Sequence, residues 1–133
     1  MKIFLDTSAF FALLDRDDAN HRKAKGLWSN LIDTEDYTLI TTNYVVVESF
    51  ALIQHRLGLE AARGFYEDML PLINIEWVDA DTHRAGVSAF LSASRRRLSL
   101  DDCISFEVMR TSGIRTVFAF DPHFSEQGFK PVA

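Results

Sequence analysis

Four carboxylates stand where a simple core or surface would not prefer them. Asp6 closes the apolar run Lys2–Leu5, and Asp121 closes a second such run at 116–120. Glu48 interrupts the stretch YVVVESFALI at 44–53, and Asp102 comes just before Cys103, Ile104 and Phe106. Each has an ordinary explanation taken singly: a helix cap, a turn, one solvated helix position, or an acid that complements a helix dipole. Taken together they pose a charge problem, because an ionised carboxylate removed from water costs several kcal/mol or more unless it is paired. No lysine or arginine neighbours these four in sequence. A divalent cation is the economical partner. Hard cations such as Mg²⁺ and Mn²⁺ take carboxylate oxygens, keep several waters and suit chemistry at phosphorus, where they activate water and stabilise the attacking and leaving oxygens.

The elements that must position these acids follow from the hydrophobic pattern. KIFL at Lys2–Leu5 reads as a fully buried strand, with Thr7 and Ser8 as caps for a helix over 9–14. Asp6 therefore sits at a strand's carboxyl end, where open α/β sheets bind their ligands. Asp17 or Asp18 caps a helix over 21–31, in which Ala24, Leu27, Trp28 and Leu31 share a face. A strand over 37–41 leads to Asn43 as the cap of a helix over 44–57 that carries Glu48 and ends at Gly58. A further helix over 59–70 stops at Pro71, and a strand follows over 72–78. Asp79 or Asp81 opens a helix running to about Arg95, where Arg95, Arg96 and Arg97 suit the dipole. Ser99 caps the helix over 100–110 that carries Asp102, and Gly113 ends it. The strand over 116–120 delivers Asp121, and the tail holds a helical turn around Phe124 and a short edge strand near Phe129. Helices alternating with strands imply an α/β fold, a three-layer α/β/α sandwich around a mainly parallel sheet of four or five strands.

Size and composition bound the function. The 133 residues, 47% of them hydrophobic and 11 of them Phe, suit one domain spanning 1–133 with a substantial core. No stretch approaches the roughly 20 apolar residues of a membrane span, and the N-terminus lacks a leader pattern, so a soluble cytoplasmic protein is expected. The single cysteine, Cys103, excludes an internal disulfide and a thiolate metal site, leaving oxygen or imidazole to hold any cation. The net charge of −5 is opposite in sign to the usual nucleic-acid-binding footprint. Acids neutralised by bound cations remain compatible with a phosphate substrate, so local placement decides.

The chain resembles the PIN-domain proteins of the VapC-like toxin ribonuclease type over nearly its whole length. The likeness rests on LDTSAFFALLDRDDANH at 5–21, VVVES at 45–49, LSLDDCISFEVM at 98–109 and FAFDPHF at 118–124. It implies that Asp6, Glu48, Asp102 and Asp121 form an acidic quartet binding Mg²⁺ or Mn²⁺. It implies RNA cleavage by metal-activated water, leaving a 5′-phosphate and a 3′-hydroxyl. It further implies a homodimer, and an antitoxin partner whose basic side chain reaches the acidic site. One departure is Asp101, where the family more often has a small or hydroxylic residue. Asp102 is assigned to the metal because it keeps the register of Ser99 and the helix face of Ser105, Phe106 and Met109, while Asp101 points about 100° away. A stand-alone RNA-processing nuclease and a noncatalytic binding module are the alternatives. Aspartyl-phosphate chemistry is disfavoured, since Thr7 and Ser8 follow Asp6 with no second acid two residues on.

Other residues carry weaker signals. Ser8 is either a cap or a contact to the metal shell, and Arg95, Arg96 and Arg97 either complement a helix end or meet phosphate. His21, His55, His83 and His123 share no metal-ligand spacing and read as capping, surface or packing residues, and Cys103 reads as a small buried one. Phe10, Phe11, Leu13, Leu14, Leu27 and Trp28 read first as core, and second as a groove for a partner helix.

Overall fold

In the computed structural model, which describes residues 1–132, five strands form one parallel sheet in the order β3-β2-β1-β4-β5. The strands are β1 (Lys2–Leu5), β2 (Thr38–Thr42), β3 (Asn74–Glu76), β4 (Thr116–Phe118) and β5 (Lys130–Pro131). The helices are α1 (Thr7–Leu14), α2 (His21–Asp33), α3 (Asn43–Leu57), α4 (Leu59–Gly64), α5 (Ala80–Ala93), α6 (Leu100–Thr111) and α7 (His123–Glu126). Right-handed crossovers put the helices between β1 and β3 on one face and those between β3 and β4 on the other. In keeping with this, α1 packs on α2 and α3, α3 on α4, and α5 on α6. The strand order reverses at β1, so a topological switch point opens beside the carboxyl ends of β1 and β4. Among the described residues no helix is long and apolar enough to cross a membrane.

Burial explains the central strands. Ile3, Phe4 and Leu5 are almost fully buried, as a strand covered on both faces requires. Phe106 packs edge-on against Phe124 and stacks on Phe129, closing the core under the second helical layer. Phe10 and Phe11 are buried, and Leu13, Leu14, Leu27 and Trp28 are partly buried against the same core, so this set packs the interior. Helices α5 and α6 meet at Gly86 of α5, where a Cβ would stand 2.3 Å from Ile104 Cδ1 and 2.9 Å from its Cγ1. Glycine here lets α6 approach, and α6 carries Asp102.

Several boundaries differ from the sequence reading, each for a local reason. The cap of α1 is Asp6 itself, whose carboxylate accepts from the Ser8 amide, so the helix starts at Thr7. Asn20 precedes α2 without a side-chain cap, while Asp18 accepts from the Asn20 amide in the turn before it. Thr42 caps α3, which frees Asn43 Oδ1 to accept from the Val78 amide. The helix expected over 59–70 ends at Gly64 and continues as a π-helical turn, Phe65–Met69, and a 3₁₀ turn, Leu70–Leu72. This irregular stretch seats Phe65 edge-on against both Phe10 and Phe50. Helix α5 is capped by Asp79 and ends at Ser94 in a left-handed conformation, so Arg95, Arg96 and Arg97 lie in the following loop.

Candidate metal centre

The switch point holds a cleft of about 350 Å³ whose lining includes Asp6, Ser8, Glu48, Asp102 and Asp121, with Asp18 and Asn20 at its edge. Asp6 arrives from the end of β1 and is buried. Its backbone is fixed from two sides, because its amide donates to Phe118 O of β4 and the preceding Leu5 carbonyl accepts from buried Thr41 Oγ1 at 2.7 Å. Asp6 Oδ2 accepts from the Ser8 amide at 3.1 Å and the Ser8 hydroxyl at 2.7 Å. The Ser8 oxygen in turn accepts from the Phe120 amide at 2.9 Å. One serine thus ties the Asp6 carboxylate to the segment that carries Asp121, a positioning role beyond capping.

Asp121 lies three residues past the end of β4, on a loop rather than on the strand. Its Oδ1 accepts from the His123 amide at 2.9 Å. Asp102 sits in the first turn of α6 in a reciprocal capping box: Ser99 Oγ accepts from its amide at 3.0 Å, and its Oδ2 accepts from the Ser99 amide at 3.1 Å. One atom each from Asp102, Asp121 and His123 fall within 4.8 Å of one another.

Glu48 lines the same cleft from α3, but its side chain is exposed and lies against Asp101. A buried hydrogen bond between Thr7 Oγ1 and Ser49 Oγ, at 3.0 Å, fixes this part of α3 to α1. Asp101 and Glu48 also border a neighbouring pocket with Tyr44, Val47 and Leu100. The two adjacent acids of α6 therefore face different neighbours, Asp102 the Asp121 loop and Asp101 the α3 carboxylate.

The electrostatics are those of uncompensated negative charge. Burial pushes Asp6 up to about 6 despite its bonds from Ser8, and the charges of Asp102 and Asp121 add to the rise. Asp102 is raised by burial, with Asp121 adding and the Ser99 bonds opposing. Asp101 is pushed up to about 9, first by burial and then by the hydrogen bond and charge of Glu48. Among the described residues, every Lys or Arg ion pair is made with Glu60, Glu67, Asp81 or Glu126, and none reaches these acids. Arg95 is consumed by Glu126 in this way, at 3.0 Å. A set of hard oxygen donors that raise one another's protonation and lack a cationic side chain fits a divalent metal.

A family model for the PIN domain matches residues 3–130. The chain belongs to the PIN-domain family. It is 35% identical over 131 residues to the 23S rRNA-specific endonuclease VapC20 of Mycobacterium tuberculosis, a match covering 98% of this chain and 97% of that one. The crystal structure of Mycobacterium tuberculosis VapC20, described as a sarcin-ricin loop cleaving toxin, superposes with a TM-score of 0.84 at 34% identity, over 96% of this chain and 95% of the other. Two more distant structures share the PIN fold. VapBC2 from Rickettsia felis, bound to a DNA fragment from its promoter, gives a TM-score of 0.71 at 10% identity, covering 98% of this chain and 97% of that one. FitAcB from Neisseria gonorrhoeae gives 0.68 at 18%, covering 98% and 96%. The expected fold, a PIN-like α/β/α sandwich, is the one observed, with all five strands parallel.

Sequence reasoning set His123 aside, and the structure brings its ring to Asp121 and Asp102. Nothing in the spacing Asp-Pro-His announces this, because the approach depends on the turn at Pro122, whose φ of −67° and ψ of −15° fold the chain back.

Proposed function

We propose that this PIN-domain chain is a divalent-metal-dependent endoribonuclease and the toxin of a toxin-antitoxin pair. The observation that carries the reading is the group of carboxylates gathered at the sheet's switch point, Asp6 and Asp102 buried and Asp121 half-buried, with no Lys or Arg paired to them. Full-length similarity to an RNA endonuclease supports the same reaction. Asp6, Asp102 and Asp121 would hold Mg²⁺ or Mn²⁺ directly or through water, with Glu48 joining from α3. A bound divalent cation supplies Lewis-acid charge beside the phosphodiester and makes a water molecule acidic enough to attack at neutral pH.

The chain's own residues do the positioning. Ser8 holds the Asp6 carboxylate against the Asp121 loop, and Ser99 holds Asp102 in its capping box. Phosphate must reach this acidic cleft past an acidic surface, so nearby cations matter. Arg56 is exposed, with its guanidinium 5.7 Å from the ring centre of Phe11, and Phe11 lines the cleft. Arg56 is thus suited to meet the RNA backbone at the rim.

The 23S rRNA cleaved by VapC20 is the first substrate to try, since loops with unstacked bases offer the edges a protein reads. An antitoxin partner is supported by the structural likeness to VapBC2 and FitAcB, and a homodimer is part of the same proposal. The test is cleavage of ribosomal RNA by the purified chain with Mn²⁺ or Mg²⁺, comparing wild type, Asp6→Asn and Asp102→Asn under EDTA controls. Metal-dependent scission lost in both variants is expected. Absence of cleavage together with absence of cation binding by calorimetry would leave a noncatalytic binding module instead.

A further inference from the structure

The imidazole of His123 is in an unusual position for a hydrogen-bonding group. Its Nδ1 is buried, 2.9 Å from Asp121 Oδ1 and 3.6 Å from Asp102 Oδ2, yet it makes no directed hydrogen bond. The side chain as a whole is only 14% exposed. Asp121 Oδ1 already accepts from the backbone amide of His123, so it does not need the ring. Two electron-rich atoms this close and not hydrogen-bonded are the arrangement found on one edge of a coordination polyhedron. Octahedral ligands at about 2.1 Å from an ion stand about 3.0 Å from their neighbours.

We propose that His123 Nδ1 is a nitrogen ligand at the carboxylate centre, which makes that centre prefer Mn²⁺ to Mg²⁺. The inference rests on the metal reading of Asp6, Asp102 and Asp121 given above. Imidazole is a poorer donor for Mg²⁺ than for the first-row ions, whose affinity for nitrogen rises from Mn²⁺ onward. Three carboxylates alone would discriminate little between two hard cations of the same charge. The short turn at Pro122 therefore adds chemistry as well as closing the fold, since it lets residues 121 and 123 offer donors to one point.

The test uses the full chain with Mn²⁺ or Mg²⁺ alone. Electron spin echo envelope modulation of the Mn²⁺-loaded wild type reads directly coordinated nitrogen, and calorimetry reads both affinities in wild type and His123→Gln. The expected result is ¹⁴N modulation in the wild type that disappears in His123→Gln, with Mn²⁺ affinity falling on the order of tenfold and Mg²⁺ affinity less than about threefold. Mn²⁺ bound without ¹⁴N modulation, modulation that survives in the variant, or equal losses for both cations would overturn it. Asp6→Asn and Asp121→Asn separate the two levels. If they weaken cation binding while ¹⁴N modulation is absent, only the His123 ligand is refuted. If they leave binding unchanged, or no cation binds, the carboxylate centre fails and His123 with it. Should His123→Gln not fold, the wild-type spectrum still decides.

Discussion

Removing the Asp6 charge should stabilise the metal-free protein at neutral pH while abolishing its proposed reaction. Asp6 is buried, and burial pushes its carboxyl up to about 6 when folded against an ordinary value of 3.8. The folded state therefore binds this proton more tightly than the unfolded state, and stability falls as pH rises from about 4 through 6. Over a gap of about two pH units the loss approaches roughly 3 kcal/mol at pH 7.5, at about 1.4 kcal/mol per unit. Asp6→Asn avoids that loss, and its amide oxygen can still accept from the Ser8 amide and hydroxyl, though more weakly than a carboxylate. A net gain of about 1–2 kcal/mol is expected. With an unfolding entropy near 2.1 cal/mol/K per residue, a chain of this length gains about 4–7 °C in Tm. The assay is thermal unfolding of both proteins in EDTA at pH 7.5 and 4.5. Asp6→Asn should melt higher at pH 7.5, with the difference vanishing or reversing at pH 4.5, where wild-type Asp6 is largely protonated. Saturating Mn²⁺ at pH 7.5 should reverse the order, since ligand at 100 times Kd adds about 2.7 kcal/mol to a protein that binds it. An Asn variant that melts below wild type in EDTA at pH 7.5, or a difference independent of pH, would refute the reasoning.

Asp102→Asn should lower RNA cleavage on the order of a hundredfold or more, while Asp101→Asn retains most of it, because Asp101 lies against Glu48 and borders the neighbouring pocket rather than the cleft that holds Asp6, Asp102 and Asp121. The opposite order of effects in a cleavage assay would exchange their roles. Gly86→Ala should cost about 1–3 kcal/mol by forcing a Cβ into Ile104, and adding Ile104→Val should recover part of this in urea unfolding, since Val lacks the Cδ1 that clashes. Additive losses in that double variant would show that the contact is not the cause. Thr7→Val leaves the buried Ser49 hydroxyl without its partner and should destabilise by about 1–3 kcal/mol, read by the same unfolding curves.

The sheet was legible because its central strands are short apolar runs between helices with strong stop signals. Gly58, at φ 94°, and Gly113, at φ 68°, end α3 and α6 where a side chain would be strained. The edges were less legible. Expected over 72–78, β3 spans only Asn74–Glu76, because its ladder needs the part of β2 from Ile40 to Thr42. The strand expected over 116–120 stops at Phe118 for a similar reason. Its partner β1 has ended at Leu5 and turned into α1, so the Phe120 amide finds the Ser8 hydroxyl instead of a ladder carbonyl. The apolar residues Ala119 and Phe120 carry no mark of that change.

The gathering of the acids was legible only in part. Strand ends announce Asp6, and the Ser99 capping signal announces the helix start at Asp102, but no periodicity says that β1 lies beside β4. Parallel strands are joined by long crossovers, so neighbours in a sheet are set by how helices pack across its faces. Once β1 and β4 are adjacent, Asp6 and the loop after β4 must meet, and the Ser8 hydroxyl bonds both sides of the junction. The same step brings His123 in. Its ring reaches Asp102 and Asp121 only because α6 begins close to the β4 loop and the chain reverses at Pro122. A histidine two residues after an acid has no meaning in sequence until a third element supplies the other side of the site.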